Sequence, residues 1–222
     1  MRFQFFVDFD GTIAMNDVGN AFFIEFGTST DHYLLIEAAW LRGEISSDEL
    51  YNAACKSIRI TPERFQKFLS KQDIDAAFLP LLENIWLNEE KIIVLSDGFE
   101  NYITPILQRF AIKNLEVCAN TFAFHREQET IVPHFPYLAQ SCGKCANCKG
   151  YHVKRLRDPS ATTVYIGDGS SDRCGAVECD YIFAKNDLAD YCTENQVDFL
   201  PFRDFHDVIK GIETIRNRRR AG

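Results

Sequence analysis

The chain has 222 residues, of which 46% are hydrophobic and 25% charged, with 19 phenylalanines; this suits one large domain, or a core with a smaller insert, and excludes global disorder. Lysine and arginine number 24 against 32 for aspartate and glutamate, so the formal charge is −8, which argues against nucleic acid or an anionic membrane as the main partner. A small anionic substrate stays open, because a metal or a few cations can reverse the field inside a cleft.

The start, Met1 to Asp8, meets an acidic residue too early for a signal-peptide core, and no apolar run approaches the ~18 residues of a membrane helix. Eight cysteines without a secretory signal are expected to be reduced thiols in the cytoplasm, in a monomer or homodimer. Phe3 to Phe9 reads as a buried strand ending in acid. From Asp17 to Trp86 the pattern is helical, with starts at Asp17, at Ser46 or Ser47, and at Thr61-Pro62, and with a helix from Asp75 to Leu87 expected to kink or break at Pro80. At Lys91 the period changes. Ile92 to Leu95 is a short apolar strand bounded by Ser96-Asp97-Gly98, and a helix follows over Phe99 to Phe110. Further strands are expected at Leu115–Val117, Val164–Ile166 and Tyr181–Phe183, with helices at Lys149–Arg157, Ser171–Val177 and Asp187–Glu194. Residues 120–148 break this rhythm with a possible hairpin, Thr121–Phe124 against Thr130–Val132, then prolines and cysteines. Alternation of strand and helix predicts a doubly wound parallel α/β sheet. The division read from this is a core over 1–14 and 87–222, a small helical insert over 15–86, and the hairpin and cysteine-rich insertion over 120–148. The basic tail Arg216 to Arg220 reads as a solvated helix end or frayed terminus.

The sharpest chemical signal is Asp8-Phe9-Asp10-Gly11-Thr12. Carboxylates at i and i+2 on a strand point the same way, and burying two like charges together is costly unless a cation or a reaction requires it. Gly11 permits a tight turn, and Thr12 offers a hydroxyl and an N–H to an oxyanion; an ordinary turn is the bland alternative. Gly167-Asp168-Gly169-Ser170-Ser171-Asp172 also follows an apolar strand, at the end where open α/β sheets place ligands. Two acid clusters on separate strands favour a hard divalent cation such as Mg²⁺. Ser96-Asp97-Gly98 has a hydroxyl followed by N–H groups leading into a helix, which suits phosphate. Lys149, opening the helix before Val164, can offset the charge of a carboxylate beside a phosphate, with Lys154 as its rival.

In that order, these four pieces resemble the motifs of the haloacid-dehalogenase-like phosphatases, across most of the chain. The helical insert resembles the cap of the phosphoserine-phosphatase-like branch. Met15-Asn16-Asp17, Cys148-Lys149-Gly150 and Leu200 to Phe205 are similar to the enolase-phosphate phosphatases of methionine salvage and to phosphoethanolamine/phosphocholine-type phosphatases. The Cys-Lys-Gly match favours Lys149 over Lys154. The resemblance implies a Rossmannoid core with a small α-helical cap and a Mg²⁺-dependent phosphomonoesterase acting on a small phosphorylated metabolite. It implies Asp8 as nucleophile and Asp10 as acid and base. Gly11, Thr12, Ser96, Asp97, Gly98 and Lys149 would bind phosphate. Mg²⁺ would sit on Asp8, the Asp10 carbonyl and Asp168, supported by Asp172 directly or through water. Asp17 either reads the substrate or caps the first helix, and Arg42 either meets a substrate anion or lies on a solvated surface.

Cys142, Cys145 and Cys148 have metal-knuckle spacing but supply three thiols, and a tetrahedral Zn²⁺ needs a fourth ligand. His134, His152, Cys174 and Cys179 are the candidate donors. A reduced loop, or a disulfide formed on oxidation, is the alternative. A catalytically silent regulatory module is the competing class, and the four acids Asp8, Asp10, Asp168 and Asp172 speak against it.

Overall fold

A computed structural model of the chain describes residues 2–125, 127 and 129–220. Met1, Ala221 and Gly222, at the ends of the expected core ranges, lie outside the described residues, as do the side chains of Arg219 and Arg220 in the basic tail. The described strands are β1 (Phe3–Val7), β2 (Lys91–Phe99), β3 (Glu116–His125), β4 (Thr130–His134), β5 (Thr162–Gly167), β6 (Tyr181–Ala184) and β7 (Leu200–Pro201). They form one sheet ordered β4-β3-β2-β1-β5-β6-β7, parallel except for the antiparallel β3–β4 pair. This is the expected doubly wound α/β architecture.

Period 2 along β1 divides the interior. Phe3, Phe5 and Val7 join one apolar layer with Val94, Val164 and Ile166, whereas Phe6 joins the other with Ile93, Leu95 and Tyr165. Helices α5 (Phe78–Leu87), α6 (Glu100–Arg109) and α10 (Phe205–Arg220) cover the first face, where the Phe78 and Phe205 rings lie 5.0 Å apart. Helices α7 (Lys149–Leu156), α8 (Arg173–Ala176) and α9 (Asn186–Glu194) cover the second through Val153, Ala176 and Leu188. The one polar residue inside β1, Gln4, is satisfied: it donates to the Leu156 carbonyl at 2.8 Å and accepts from the Asp158 N–H at 2.6 Å.

Between β1 and β2 the chain leaves the sheet to form α1 (Val18–Phe26), α2 (Thr30–Leu41), α3 (Ser47–Ser57) and α4 (Pro62–Leu69). Their starts follow from capping. Asp17 accepts from the Asn20 N–H, Ser46 and Glu49 form a capping box, and Thr61 caps a helix with Pro62 in its first turn. The outgoing and returning segments pair at Ala14↔Ile74, with Met15 N–H on the Asp73 carbonyl at 3.0 Å and Asp75 N–H on the Ile13 carbonyl at 2.9 Å. The helical excursion therefore closes at Ile74, and α5, which begins inside the expected insert range 15–86 and ends at Leu87, packs on α10 and β2.

Three local expectations are corrected. The helix expected from Asp75 starts at Phe78, so Pro80 lies in its first turn, where no intrahelical N–H bond is lost, and it neither kinks nor breaks the helix. Ser96, Asp97 and Gly98 belong to β2 itself, beyond an irregularity in its pairing with β3 after Leu95. The strand expected at Leu115–Val117 and the first hairpin strand are one continuous β3, which meets β4 with Thr121 opposite His134. Among the described residues no helix is long and apolar enough to cross a membrane.

Candidate active site

Asp8 follows β1 directly, in the middle of the sheet where the strand order turns from β2 on one side to β5 on the other. It is nearly fully buried. Its parity is that of Phe6, so it faces the α7 layer. There the fully buried Lys149, first residue of α7, donates to Asp8 Oδ1 at 2.5 Å and to Asp172 Oδ1 at 2.6 Å. Lys154, its rival, is exposed and paired with Glu178. Asp172 has both oxygens engaged: Oδ1 also accepts from the Tyr165 hydroxyl at 2.7 Å, and Oδ2 accepts from the N–H groups of Asp168 and Gly169 at 3.0 and 2.8 Å. Thr12 Oγ1 donates to Asp168 Oδ1 at 3.0 Å, and Asn186 Nδ2 to Asp168 Oδ2 at 3.2 Å.

Asp10 does not continue the strand. The chain turns over Phe9–Ile13 with Gly11 at φ +73, and a Cβ at Gly11 would lie 2.6 Å from Asp168 Oδ2, so both the dihedral and the space require glycine. The Asp10 carboxylate lines the same pocket as Asp8 but is held by a separate set of donors. Oδ1 accepts from the Val18 and Gly19 N–H groups at 3.1 Å each; Oδ2 accepts from Tyr102 at 3.0 Å and Ser96 Oγ at 3.2 Å. The strand ends at Val7, so alternation is not what brings the two carboxylates to one pocket; the turn does.

Gly98 N–H donates to Ser96 Oγ at 2.9 Å, which fixes the hydroxyl at the pocket wall. Asp97 lines the pocket, but its carboxylate is an acceptor and not a donor to an anion: Oδ1 accepts from the Asn147 N–H at 2.6 Å. Its other oxygen has no hydrogen-bond partner among the described residues, and burial pushes its pKa up to about 6. Asn147 Nδ2 donates to the carbonyls of Ser96 and Cys118 at 2.8 and 2.9 Å, so its Oδ1, 2.6 Å from His152 Nε2, accepts a proton held there. Neutral His152 then offers Nδ1 to Arg155, 3.1 Å away. With both ring nitrogens engaged, His152 is removed from the candidate donors to the cysteine segment.

The electrostatics are one-sided. Burial raises the pKa of Asp8 well above the usual carboxylate range; the Asp172 charge adds to this and Lys149 opposes it. Asp168 is raised by burial and by Asp172. Burial and Asp17 push Asp10 up to about 7. Burial alone would lower Lys149, but the Asp172 and Asp8 carboxylates outweigh it and hold the ammonium above its ordinary pKa. Asp8, Asp168 and Asp172 each bring an oxygen within 4.8 Å of the others. One lysine cannot neutralise this cluster. Hard oxygen donors carrying excess negative charge fit a divalent cation of the Mg²⁺ type.

The pocket above these groups has a volume of about 320 Å³ and is walled by the helical insert through Phe23, Tyr33, Trp40 and Tyr51, with Asp17 and Glu37 among its acids. Asp17 thus both caps α1 and lines the pocket. Arg42 is solvent-facing and paired with Glu44 at 2.6 Å. Sequence reasoning missed Tyr102, Asn147, Tyr165 and Asn186 and considered His152 only as a metal donor. Their roles depend on contacts between distant segments, and only Tyr102, one turn after Gly98, carried a local signal.

Residues 5–176 match the family model for haloacid dehalogenase-like hydrolases. The chain belongs to that family. It is 28% identical over 215 residues, 94% of each chain, to a 2-hydroxy-3-keto-5-methylthiopentenyl-1-phosphate phosphatase of Bacillus thuringiensis subsp. konkukian (strain 97-27), and 27% identical over the same span to one of Bacillus cereus (strain G9842). Among solved structures, a phosphoserine phosphohydrolase-like protein from Francisella tularensis subsp. tularensis SCHU S4 superposes with TM-score 0.71 at 15% identity, covering 96% of this chain and all (100%) of that one. A phospho-aspartyl intermediate analogue of phosphoserine phosphatase gives 0.67 at 14%, covering 95% and 99%. These likenesses show the fold. Family and curated relatives together make the protein a phosphoric monoester hydrolase.

Proposed function

We propose that the chain is a Mg²⁺-dependent phosphomonoesterase that hydrolyses a small phosphorylated metabolite through an aspartyl-phosphate on Asp8. The observation that carries this reading is the buried pairing of Lys149 with Asp8 and Asp172 at the end of the central strand, with an Asp168 oxygen within 4.8 Å of both carboxylates. Mg²⁺ would be held by Asp8, the Asp10 carbonyl and Asp168, and would supply charge neutralisation for the phosphoryl group. Asp172 acts by fixing Lys149 and the Asp168 loop, since both its oxygens are already bonded.

The remaining steps belong to the chain's own groups. Lys149 holds one Asp8 oxygen and reduces repulsion between the carboxylate and the incoming dianion. An Asp8 oxygen attacks phosphorus as the ester P–O bond breaks, and Asp10 gives its proton to the leaving oxygen. A pKa near 7 keeps a useful fraction of Asp10 protonated at neutral pH. Asp10, now ionised, takes a proton from the water that attacks the aspartyl-phosphate; inorganic phosphate leaves and Asp8 is restored. The Gly98 N–H is taken by Ser96 Oγ and the Gly11 N–H by the Asn16 carbonyl, so Thr12, Ser96 and the Asp97 N–H are the groups assigned to the phosphoryl oxygens.

We take residues 1–14 and 87–222 as the catalytic core, with α5 on its side, and the excursion closed by the Ala14–Ile74 bridge as the cap. The insertion 120–148 brings Asn147 under Ser96. The substrate reading is the enolase-phosphate of methionine salvage, on the strength of the curated relatives and of a cap wall rich in apolar and aromatic side chains. A phosphorylated amine, as in phosphoserine or phosphoethanolamine, is the second reading. Asp17 and Glu37 favour it by placing two carboxylates on the same wall. A second metal, zinc on Cys142, Cys145 and Cys148, is a separate part of the proposal. The test is hydrolysis of an aryl phosphate with and without Mg²⁺, followed by a panel of enol, seryl and aminoalkyl phosphates. Metal-dependent turnover is expected, and its absence with every ester removes the reading.

A further inference from the structure

The insertion sends three cysteines toward the core, and α8 supplies a fourth. The sulfurs of Cys142, Cys145, Cys148 and Cys174 all lie within 4.8 Å of one another, with Cys142 and Cys145 at 3.6 Å. None of the four is in a disulfide. A tetrahedral ion with Zn–S bonds of about 2.3 Å sets its sulfurs about 3.8 Å apart. An iron–sulfur cluster, with sulfide between its irons, needs a wider cage. Cys148 is the N-cap residue of α7, where the helix end favours negative charge. The other candidate donors are engaged elsewhere. His152 is bound to Asn147 and Arg155, His134 faces Thr121 across the β3–β4 pair, and Cys179 lies against Thr163.

We propose that these four cysteines bind one structural Zn²⁺, with Cys174 as the fourth ligand, and that the ion fastens α7 to α8. The consequence for catalysis rests on the phosphatase reading; the binding of zinc does not. Cys148 immediately precedes Lys149, and Cys174 follows Asp172 by two residues, so the ion ties together the two segments whose side chains meet at 2.6 Å. The helices already approach closely: a Cβ at Gly150 would lie 2.5 Å from the Cys174 carbonyl oxygen. The same loop reaches the cap, where the Ser47 N–H donates to the Lys144 carbonyl at 2.8 Å. Zinc binding is thus expected to set the position of the phosphate-handling ammonium.

The experiment measures zinc in full-length protein purified under reducing conditions without chelator, with Co²⁺ substitution of stripped protein as a second probe. One zinc per chain and the ligand-field bands of a tetrahedral cobalt thiolate are expected. Cys174→Ser is expected to hold less than a tenth of the wild-type metal, and Cys179→Ser to keep all of it. If Cys174→Ser does not fold, alkylation mapping of the wild type decides: zinc is expected to protect all four sulfurs and chelation to expose them, with Cys55 and Cys192 unchanged. Metal-free protein that takes up neither ion, or Cys174→Ser holding as much zinc as wild type, overturns the site. Titration with inorganic phosphate in the presence of Mg²⁺ tests its purpose. At least tenfold weaker binding after zinc removal, at unchanged circular dichroism, is expected; equal binding overturns the positioning role. Phosphate binding to neither form counts against the phosphatase reading and leaves the zinc stoichiometry to stand alone.

Discussion

The end of the sheet and the cap above it are built by opposite means. At the sheet end, each functional side chain is fixed by several polar partners: four donors hold Asp10, and Asp172 is held by Lys149, Tyr165 and two backbone N–H groups. The cap is held by rings. Phe22 stacks on Phe122 at 5.8 Å and meets Phe26, Phe65 and Phe68 edge-on or tilted, and Phe23 stacks on Tyr33 and Tyr51 while its edge reaches Phe99. Aromatic packing is strong but weakly directional compared with a charged hydrogen-bond network. Chemistry is therefore assigned to the rigid end of the sheet, and choice of substrate to a surface that can be repacked without disturbing it.

Substitutions sharpen this contrast. The largest effect is expected from Asp8→Asn, which should lower kcat by on the order of 10⁴-fold or more while leaving the melting temperature close to that of wild type; steady-state assay and calorimetry together check it. Asp10→Asn should cost roughly 10²–10⁴-fold, the range of an acid–base group, with the larger loss for esters whose leaving groups most need a proton. Phe22→Ala should do the converse, destabilising the protein by about 3–5 kcal/mol in denaturant titration because a fully buried ring is lost from the cap–core junction. In protein that remains folded, its effect on kcat should be smaller than that of either aspartate. Glu37→Gln should move KM by roughly tenfold at nearly constant kcat: upward for an aminoalkyl phosphate, little or downward for an uncharged enol phosphate. Equal changes for both esters would remove the cap carboxylates from substrate selection.

The smallest effect is a pH dependence of stability. Burial and the Arg155 guanidinium push His152 down to about 4 from an ordinary 6.5. Between those values the unfolded chain binds a proton that the folded chain refuses, so stability is fully present above about pH 6.5 and is lost as pH falls toward 4. His152→Gln can still donate to Asn147 but does not titrate, so its melting temperature should fall less steeply over that window. An identical slope in both proteins would reassign the acid sensitivity to other groups.

The legibility of the sequence follows the same division. β1 could be read because a central parallel strand is buried on both faces and so appears as a run that is apolar except for Gln4 and ends in Asp8. The acids of Gly167 to Asp172 were legible for the same reason, and Lys149 through the adjacent cysteine and glycine. Asn147 and His152 could not be read, since their task of holding the Ser96 carbonyl and the Asp97 carboxylate arises only when the insertion folds back under β2. The placing of Asp10 beside Asp8 in one pocket depends on a turn that Gly11 makes possible, not on strand alternation, which ends at Val7. The return of the cap at Ile74 carried no composition signal, because α5 is as apolar and helical as the elements before it.

The central claim is that Asp8 itself takes up the phosphoryl group. Rapid acid quenching of the enzyme during turnover of a phosphate ester with Mg²⁺, followed by peptide mass spectrometry, tests it most directly. A phosphoryl adduct on the peptide carrying Asp8, absent from Asp8→Asn, is the predicted result. Full hydrolysis by Asp8→Asn, or an adduct on any other residue, would contradict the account.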